Sequence, residues 1–187
     1  MEILANFLAG QTGIECIIFR FGEIYGPLNH WKSMPSILAQ AAVKGENPDL
    51  KNVLSGINAQ DGSDRCYVKD AARAVALLQL ASTLHHRVYN IATGRPTNNQ
   101  DLVKAIKEVL PEAELQLPSE GVGTVSETSY LDNTWLVEDT DYQPSLVPLR
   151  VWPIISPGYR QATKIRQIIS LLLAHETIYF CIDLSSN

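Results

Sequence analysis

Apolar positions along this chain recur with a helical period in some stretches and in short unbroken runs in others, and the two alternate. Ile3, Leu4, Phe7 and Leu8 repeat at helical spacing, so residues 1–11 read as a helix. No Ser, Thr, Asp or Asn stands before that stripe, where a helix normally begins, and the expectation is that this helix starts upstream of Met1. Gly13 ends it, a usual place for glycine. Ile14 to Phe19 then reads as a buried strand of the parallel type, followed by a Gly/Pro-rich loop from Gly22 to Asn29. Ser33 stands where it can cap a helix carrying Ile37, Leu38, Ala41 and Ala42. Residues 45–64 are polar and turn-rich, with Asp61-Gly62 read as a hairpin turn.

Cys66 to Val68 reads as a short strand, and Asp70 as the cap of a helix through Ala81 that turns Val75, Leu77 and Leu78 inward. Val88 to Ala92 is a further strand. Asn98 is an N-cap candidate, with Asp101 three residues later in a capping-box-like relation. Leu102, Ile106, Val109 and Leu110 give the helix that follows its buried face, and Pro111 stops it. Glu114 to Leu117 reads as one more strand. Helices alternating with short strands make the class α/β. Beyond Pro144 the pattern changes. Residues 147–158 hold three prolines. Arg160 to His175 then reads as a helix and Thr177 to Asp183 as a strand. The division drawn is 1–146 and a divergent tail, 147–187.

Composition narrows the function classes. Of 187 residues, 45% are hydrophobic and 19% charged, which is a globular balance. The formal net charge of −5 argues against nucleic acid and anionic membrane as partners, since both require a basic surface. Met1 to Leu8 carries Glu2 and no basic region, so it is not a signal peptide. The most apolar stretch, Ile165 to Ala174, contains Arg166 and Gln167 and is too short to span a bilayer. Cys16, Cys66 and Cys181 lie far apart with no CxxC or Cys/His cluster, which argues against zinc and fits a reducing cytoplasm.

The most informative stretch is Phe19-Arg20-Phe21-Gly22-Glu23-Ile24-Tyr25-Gly26-Pro27. A strand runs into an arginine and then into a turn. In open α/β sheets, ligands lie beyond the carboxyl ends of strands. The bland alternative is a structural turn with Arg20 paired on the surface. This segment resembles the R-x-x-x-V-Y-G-P motif of extended short-chain dehydrogenases of the NAD-dependent epimerase/dehydratase type. Three more segments agree in order. Asp61 to Ala74 resembles G-x-G-x-x-R-x-Y-V-x-D-x-A-x-A, Tyr89 to Gly94 resembles Y-N-I-G-S-G, and Asp139 to Pro144 resembles the L-G-Y-x-P stretch.

The resemblance implies the C-terminal part of a Rossmann-like doubly wound sheet with a small substrate-binding α/β lobe. Phe21 and Gly22 match positions that approach the nicotinamide end of NAD or NADP. Glu23 matches a substrate contact, often Asn in nucleotide-sugar enzymes, where a carboxylate would repel a diphosphate. Arg65 matches an arginine that pairs with substrate phosphate, a role suited to its planar donors. A surface salt bridge is the alternative for Arg65, and Glu23 and Arg65 pairing with each other is a structural reading of both.

The family's glycine-rich cofactor loop and its Tyr-x-x-x-Lys pair have no counterpart in these residues, so no catalytic residue is assigned. By register, the lysine would sit just before Met1. Gly121 to Ser126 is a partial look-alike of the glycine-rich loop with no amphipathic helix after it, and reads as a plain loop. Tyr159 to Lys164 has the wrong spacing for the pair.

The expectation is a fragment of an NAD(P)-dependent epimerase, dehydratase or reductase acting on a sugar-like or other hydroxyl/carbonyl substrate. On this reading the chain by itself is inactive and its own cofactor binding is in doubt. The alternative is a non-catalytic binding or regulatory module, working as a homodimer or paired with a full-length relative. His85-His86 reads as exposed at a helix end rather than as a metal pair, and Asn90 as fixing the turn after its strand.

Overall fold

The computed structural model describes residues 2–26, 33–51, 53, 56–118 and 130–144. The expected tail helix and strand, the Gly121 loop and the Tyr159 segment lie outside them. Helix α1 spans Glu2–Thr12 and ends on Gly13, whose φ of 72° is the left-handed conformation that glycine adopts without cost. Strands β1 (Ile18–Phe21) and β2 (Glu23–Tyr25) follow, then α2 (Met34–Lys44), β3 (Gly62–Ser63), β4 (Arg65–Tyr67), α3 (Val68–Leu80) and β5 (Val88–Ile91). The last described elements are β6 (Thr97–Asn98), α4 (Asn99–Val109) and α5 (Thr134–Thr140).

Three short ladders join these strands. β1 runs parallel to β5 with Phe21 opposite Ile91, and β2 runs parallel to β4 with Glu23 opposite Arg65 and Tyr25 opposite Tyr67. β3 and β6 pair antiparallel. Parallel strands with helical crossovers give the α/β class read from the sequence.

Among the described residues the hydrophobic core has two lobes, and β4 stands between them. Side chains alternate along a strand, so Cys66 enters one lobe with Ile17, Ala71, Ala74, Leu78, Tyr89 and Ile91. Tyr67, one residue on, enters the other with Tyr25, Met34, Leu38, Leu102 and Ile106. The first lobe is covered by α3 and α5, the second by α2 and α4. Burial pushes the Cys66 thiol up to about 12, so it is packing material rather than a nucleophile.

Several local expectations are corrected. The run expected as a strand at Ile14–Phe19 is laddered only from Ile18, although Cys16 and Ile17 are buried. The loop expected from Gly22 contains strand β2. Asp61-Gly62 is no hairpin turn: the tight turn lies at residues 58–61, closed by Asp61 N–H on the Asn58 carbonyl at 3.2 Å, and Gly62 already belongs to β3.

Asp70 is not a cap, because α3 starts earlier, after Tyr67. It lies in the first turn, where a carboxylate suits the helix dipole, with Arg73 4.0 Å away. Ser33 holds the N-cap position of α2 but turns its hydroxyl to Ser36 Oγ at 3.2 Å. Glu114 to Leu117 forms no strand. Ala113 and Leu115 are buried against the second lobe, so their alternation reflects packing without a ladder. The Asn98 cap holds, accepting from Asp101 N–H at 2.8 Å.

Candidate functional site

The carboxyl ends of β1 and β5 lie side by side, and the chain leaves both through short connections. After Phe21, Gly22 makes the step into β2. Its N–H donates to Ile91 O at 3.1 Å, and the next N–H, of Glu23, donates to Asp64 O at 2.8 Å. A Cβ on Gly22 would come 2.9 Å from that same Asp64 oxygen, so no larger residue fits unless the strands part. Phe21 is 43% exposed, a large apolar ring left at a strand end, with Phe19 set edge-on at 6.3 Å. Arg20 lies away from this place. It holds Glu2 of α1 through two bonds of 2.7 and 2.6 Å on the surface, which is the bland reading of that residue.

Asp64 fixes the neighbouring connection. Its buried carboxylate accepts from Thr93 N–H at 2.8 Å, Thr93 Oγ1 at 2.6 Å, Gly94 N–H at 3.0 Å and Leu131 N–H at 3.4 Å. One aspartate thus ties the end of β5 to the segment before α5, while its backbone oxygen touches the β1–β2 step. The sequence reading passed over Asp64. Its signal was a carboxylate between two short strands, with a Thr-Gly turn available elsewhere to supply donors.

Glu23 and Arg65 pair across the β2–β4 ladder, as the structural reading of both had it. Arg65 Nε donates to Glu23 Oε2 at 3.2 Å, its NH1 to Thr97 O at 2.7 Å and its NH2 to Asn99 Oδ1 at 2.7 Å. The Arg65 side chain is fully enclosed, while Glu23 keeps 21% of its side chain exposed. Ser63 Oγ donates to the same Glu23 oxygen. Burial holds Arg65 below its ordinary guanidinium range, and the facing Glu23 opposes that shift. Asn99 completes the network by donating to the backbone of Asn58 at 2.8 Å and of Gly56 at 3.3 Å. Asn99 escaped the sequence reading because its neighbour Asn98 had absorbed the capping signal.

The remaining polar candidates serve α5. Asn90 does not fix a local turn: its Nδ2 reaches the backbone of Asp132 at 2.6 Å. Asp139 Oδ2 accepts from Tyr89 OH at 2.5 Å and from His85 N–H at 2.9 Å, and the His85 ring meets Oδ1 at 2.7 Å. His86 stacks on Trp135 at 4.2 Å.

The four residues expected at the site therefore come together. Phe21 and Gly22 lie at the end of the β1–β5 ladder, and Glu23 and Arg65 begin the β2–β4 ladder beside it. Among the described residues, no group of His, Cys, Asp and Glu is arranged to hold a metal ion, and no helix is long and apolar enough to cross a membrane.

A model of the NAD dependent epimerase/dehydratase family matches residues 1–92. No curated protein matches the chain. Among solved structures it is similar to the UDP-glucose 4-epimerase of Thermotoga maritima with UDP-glucose, at 23% identity and a TM-score of 0.62, covering 87% of this chain and 51% of that one. It is also similar to WbmF of Bordetella bronchiseptica in complex with NAD+ and UDP, at 19% identity and a TM-score of 0.66, covering 91% and 53%. The UDP-glucose 4-epimerase of Thermus thermophilus complexed with NAD gives 22% identity and a TM-score of 0.61, covering 86% and 51%. The chain thus spans about half the length of the solved structures it resembles.

Proposed function

Because residues 1–92 of this chain belong to the NAD dependent epimerase/dehydratase family, we propose that it supplies the nicotinamide-side and substrate-side walls of an NAD(P)-dependent site acting on a sugar-like hydroxyl/carbonyl substrate. The observation that carries this reading is the junction of the two parallel ladders. Phe21 is exposed at the carboxyl end of β1, and beside it Gly22 packs so closely that a Cβ there would come 2.9 Å from Asp64 O. Beyond the carboxyl ends of parallel strands is where such folds take ligands.

In this reading Phe21 and Gly22 border the nicotinamide end of the cofactor. The flat apolar ring covers a face of the cofactor, and the missing Cβ of Gly22 lets the β1–β2 step pack against Asp64 beside it. Glu23 faces the substrate and Arg65 stands behind it. The glycine-rich phosphate loop and the Tyr-x-x-x-Lys pair are proposed to come from sequence other than these 187 residues, so the chain by itself does not transfer hydride. The sparse cysteines support a reducing, cytoplasmic setting.

The test is a titration of the 187-residue chain with NAD+ and NADP+, followed by amide NMR and calorimetry. The expected outcome is binding no tighter than millimolar, with shifts concentrated at Phe21, Gly22 and Thr93. Micromolar binding would place a complete dinucleotide site within the chain. No shift at Phe21 and Gly22 would remove the cofactor assignment.

A second reading has its own observation. α1 leaves Ile3, Leu4, Phe7 and Leu8 in solvent, an apolar face of the kind that marks interaction surfaces. It supports a chain that works as a homodimer or paired with a full-length relative.

A further inference from the structure

Glu23 and Arg65 define the charge of the substrate wall, and the inference drawn from them rests on the site reading above. Arg65 is fully enclosed, and its three nitrogens are each engaged: Nε on Glu23, NH1 on Thr97 O and NH2 on Asn99 Oδ1. An arginine that receives a phosphate needs a free edge of its planar fork, and each edge here already has a protein acceptor. Glu23 is the partly exposed member of the pair. Ser63 and Arg65 both donate to its Oε2, and no described residue donates to Oε1. What the wall offers a ligand is therefore a carboxylate oxygen, an acceptor whose charge is matched from behind.

We propose that this wall selects an uncharged, hydroxyl-bearing part of the substrate and rejects an anionic one, with Glu23 Oε1 accepting from a substrate hydroxyl. Arg65 and Ser63 are positioning residues that hold the carboxylate in place. A hydroxyl can donate to this oxygen, whereas a phosphate or carboxylate brings only further acceptors. The expected repulsion of a diphosphate by Glu23 is thus softened by Arg65, but Arg65 is not released to attract one.

The test compares methyl α-D-glucopyranoside with glucose 1-phosphate, each titrated into the 187-residue chain and followed by amide NMR. The glucoside should shift Glu23 and Ser63, and the phosphate ester should bind about tenfold or more weaker, the scale of one charged hydrogen bond. Glu23→Gln should narrow or reverse that order, because the cation of Arg65 is then uncompensated. Ser63→Ala keeps the ion pair, so it serves if Glu23→Gln does not fold, and it should weaken the glucoside severalfold. A wild-type chain that prefers the phosphate ester overturns the proposal, as does one in which neither sugar shifts Glu23. NAD+ shifts at Phe21 together with no sugar shifts at Glu23 would leave the family site standing and remove only this inference. Sugar shifts without NAD+ shifts would do the reverse.

Discussion

Arg65 brings a charge into a place with no exposure of its own, and it is tolerated there because Glu23, Thr97 O and Asn99 each take one of its donors. Removing one partner of a buried pair costs more than the pair contributes, since it strands the other groups. Arg65→Met should therefore destabilise the fold by about 3 kcal/mol, the low end for a buried pair because Glu23 can still reach water. Urea unfolding checks this, and a loss near zero would mean the network is incidental.

Asp139 gives a pH-dependent counterpart. Burial alone would raise its carboxyl, but hydrogen bonds from Tyr89 and His85 outweigh burial and hold it down at about 2, from an ordinary 3.8. A carboxyl depressed in the folded state adds stability that is present above its unfolded value and is lost as pH falls toward the folded one. The stability gap between wild type and Asp139→Asn should accordingly be full at neutral pH and close between 3.8 and about 2. Urea midpoints measured across that range would show it, and a gap that stays constant would mean that Asp139 titrates alike in both states.

At the scale of elements, α5 shows what periodicity can and cannot reveal. It has seven residues, with Leu136 its only buried one, so it offers no repeating stripe to detect and is too short to be stable alone. Its position comes from contacts distant in sequence: Leu136 in the first core lobe, Asp139 on Tyr89, and Asn90 on the backbone before it. Leu136→Ala should cost roughly 2–5 kcal/mol, the range for a buried leucine. It should also speed amide exchange in α5 well before that in α4, whose face of Leu102, Val103 and Ile106 packs in the other lobe. Equal acceleration in both helices would show the two lobes to be one cooperative unit.

The same contrast explains which elements were legible. α2, α3 and α4 carry long apolar stripes and were readable within a few residues. β2 and β3 are only two or three residues long, and a ladder that short is fixed by its partner strand rather than by its own pattern. The site was legible at Phe21 to Glu23 and at Arg65 through motif resemblance. The roles of Asp64 and Asn99 were not, because each depends on donors or acceptors about thirty or more residues away in sequence.

Among the described helices, α1 lies outside both core lobes. No residue of α1 is buried, and Ile3 and Phe7 are 87% and 60% exposed. The Glu2–Arg20 pair ties the start of α1 to β1, yet an ion pair this exposed is screened by solvent and contributes little. That is too little to hold an amphipathic helix whose apolar side meets water, so covering that side is favourable for whatever surface can do it. A second copy of the chain carries the same stripe, and a two-fold arrangement lets each stripe cover the other.

The expected result is self-association that rises with concentration and survives high salt, because it is apolar burial rather than charge that drives it. Light scattering across a concentration series measures this. Phe7→Asp together with Leu8→Glu should shift the chain to monomer and remove the concentration dependence of the urea midpoint, while leaving the midpoint measured at high dilution nearly unchanged, since neither side chain is part of either lobe. A wild-type chain that stays monomeric throughout would remove the homodimer and leave a different polypeptide as the partner of α1. Association unaffected by the double substitution would place the contact on another face.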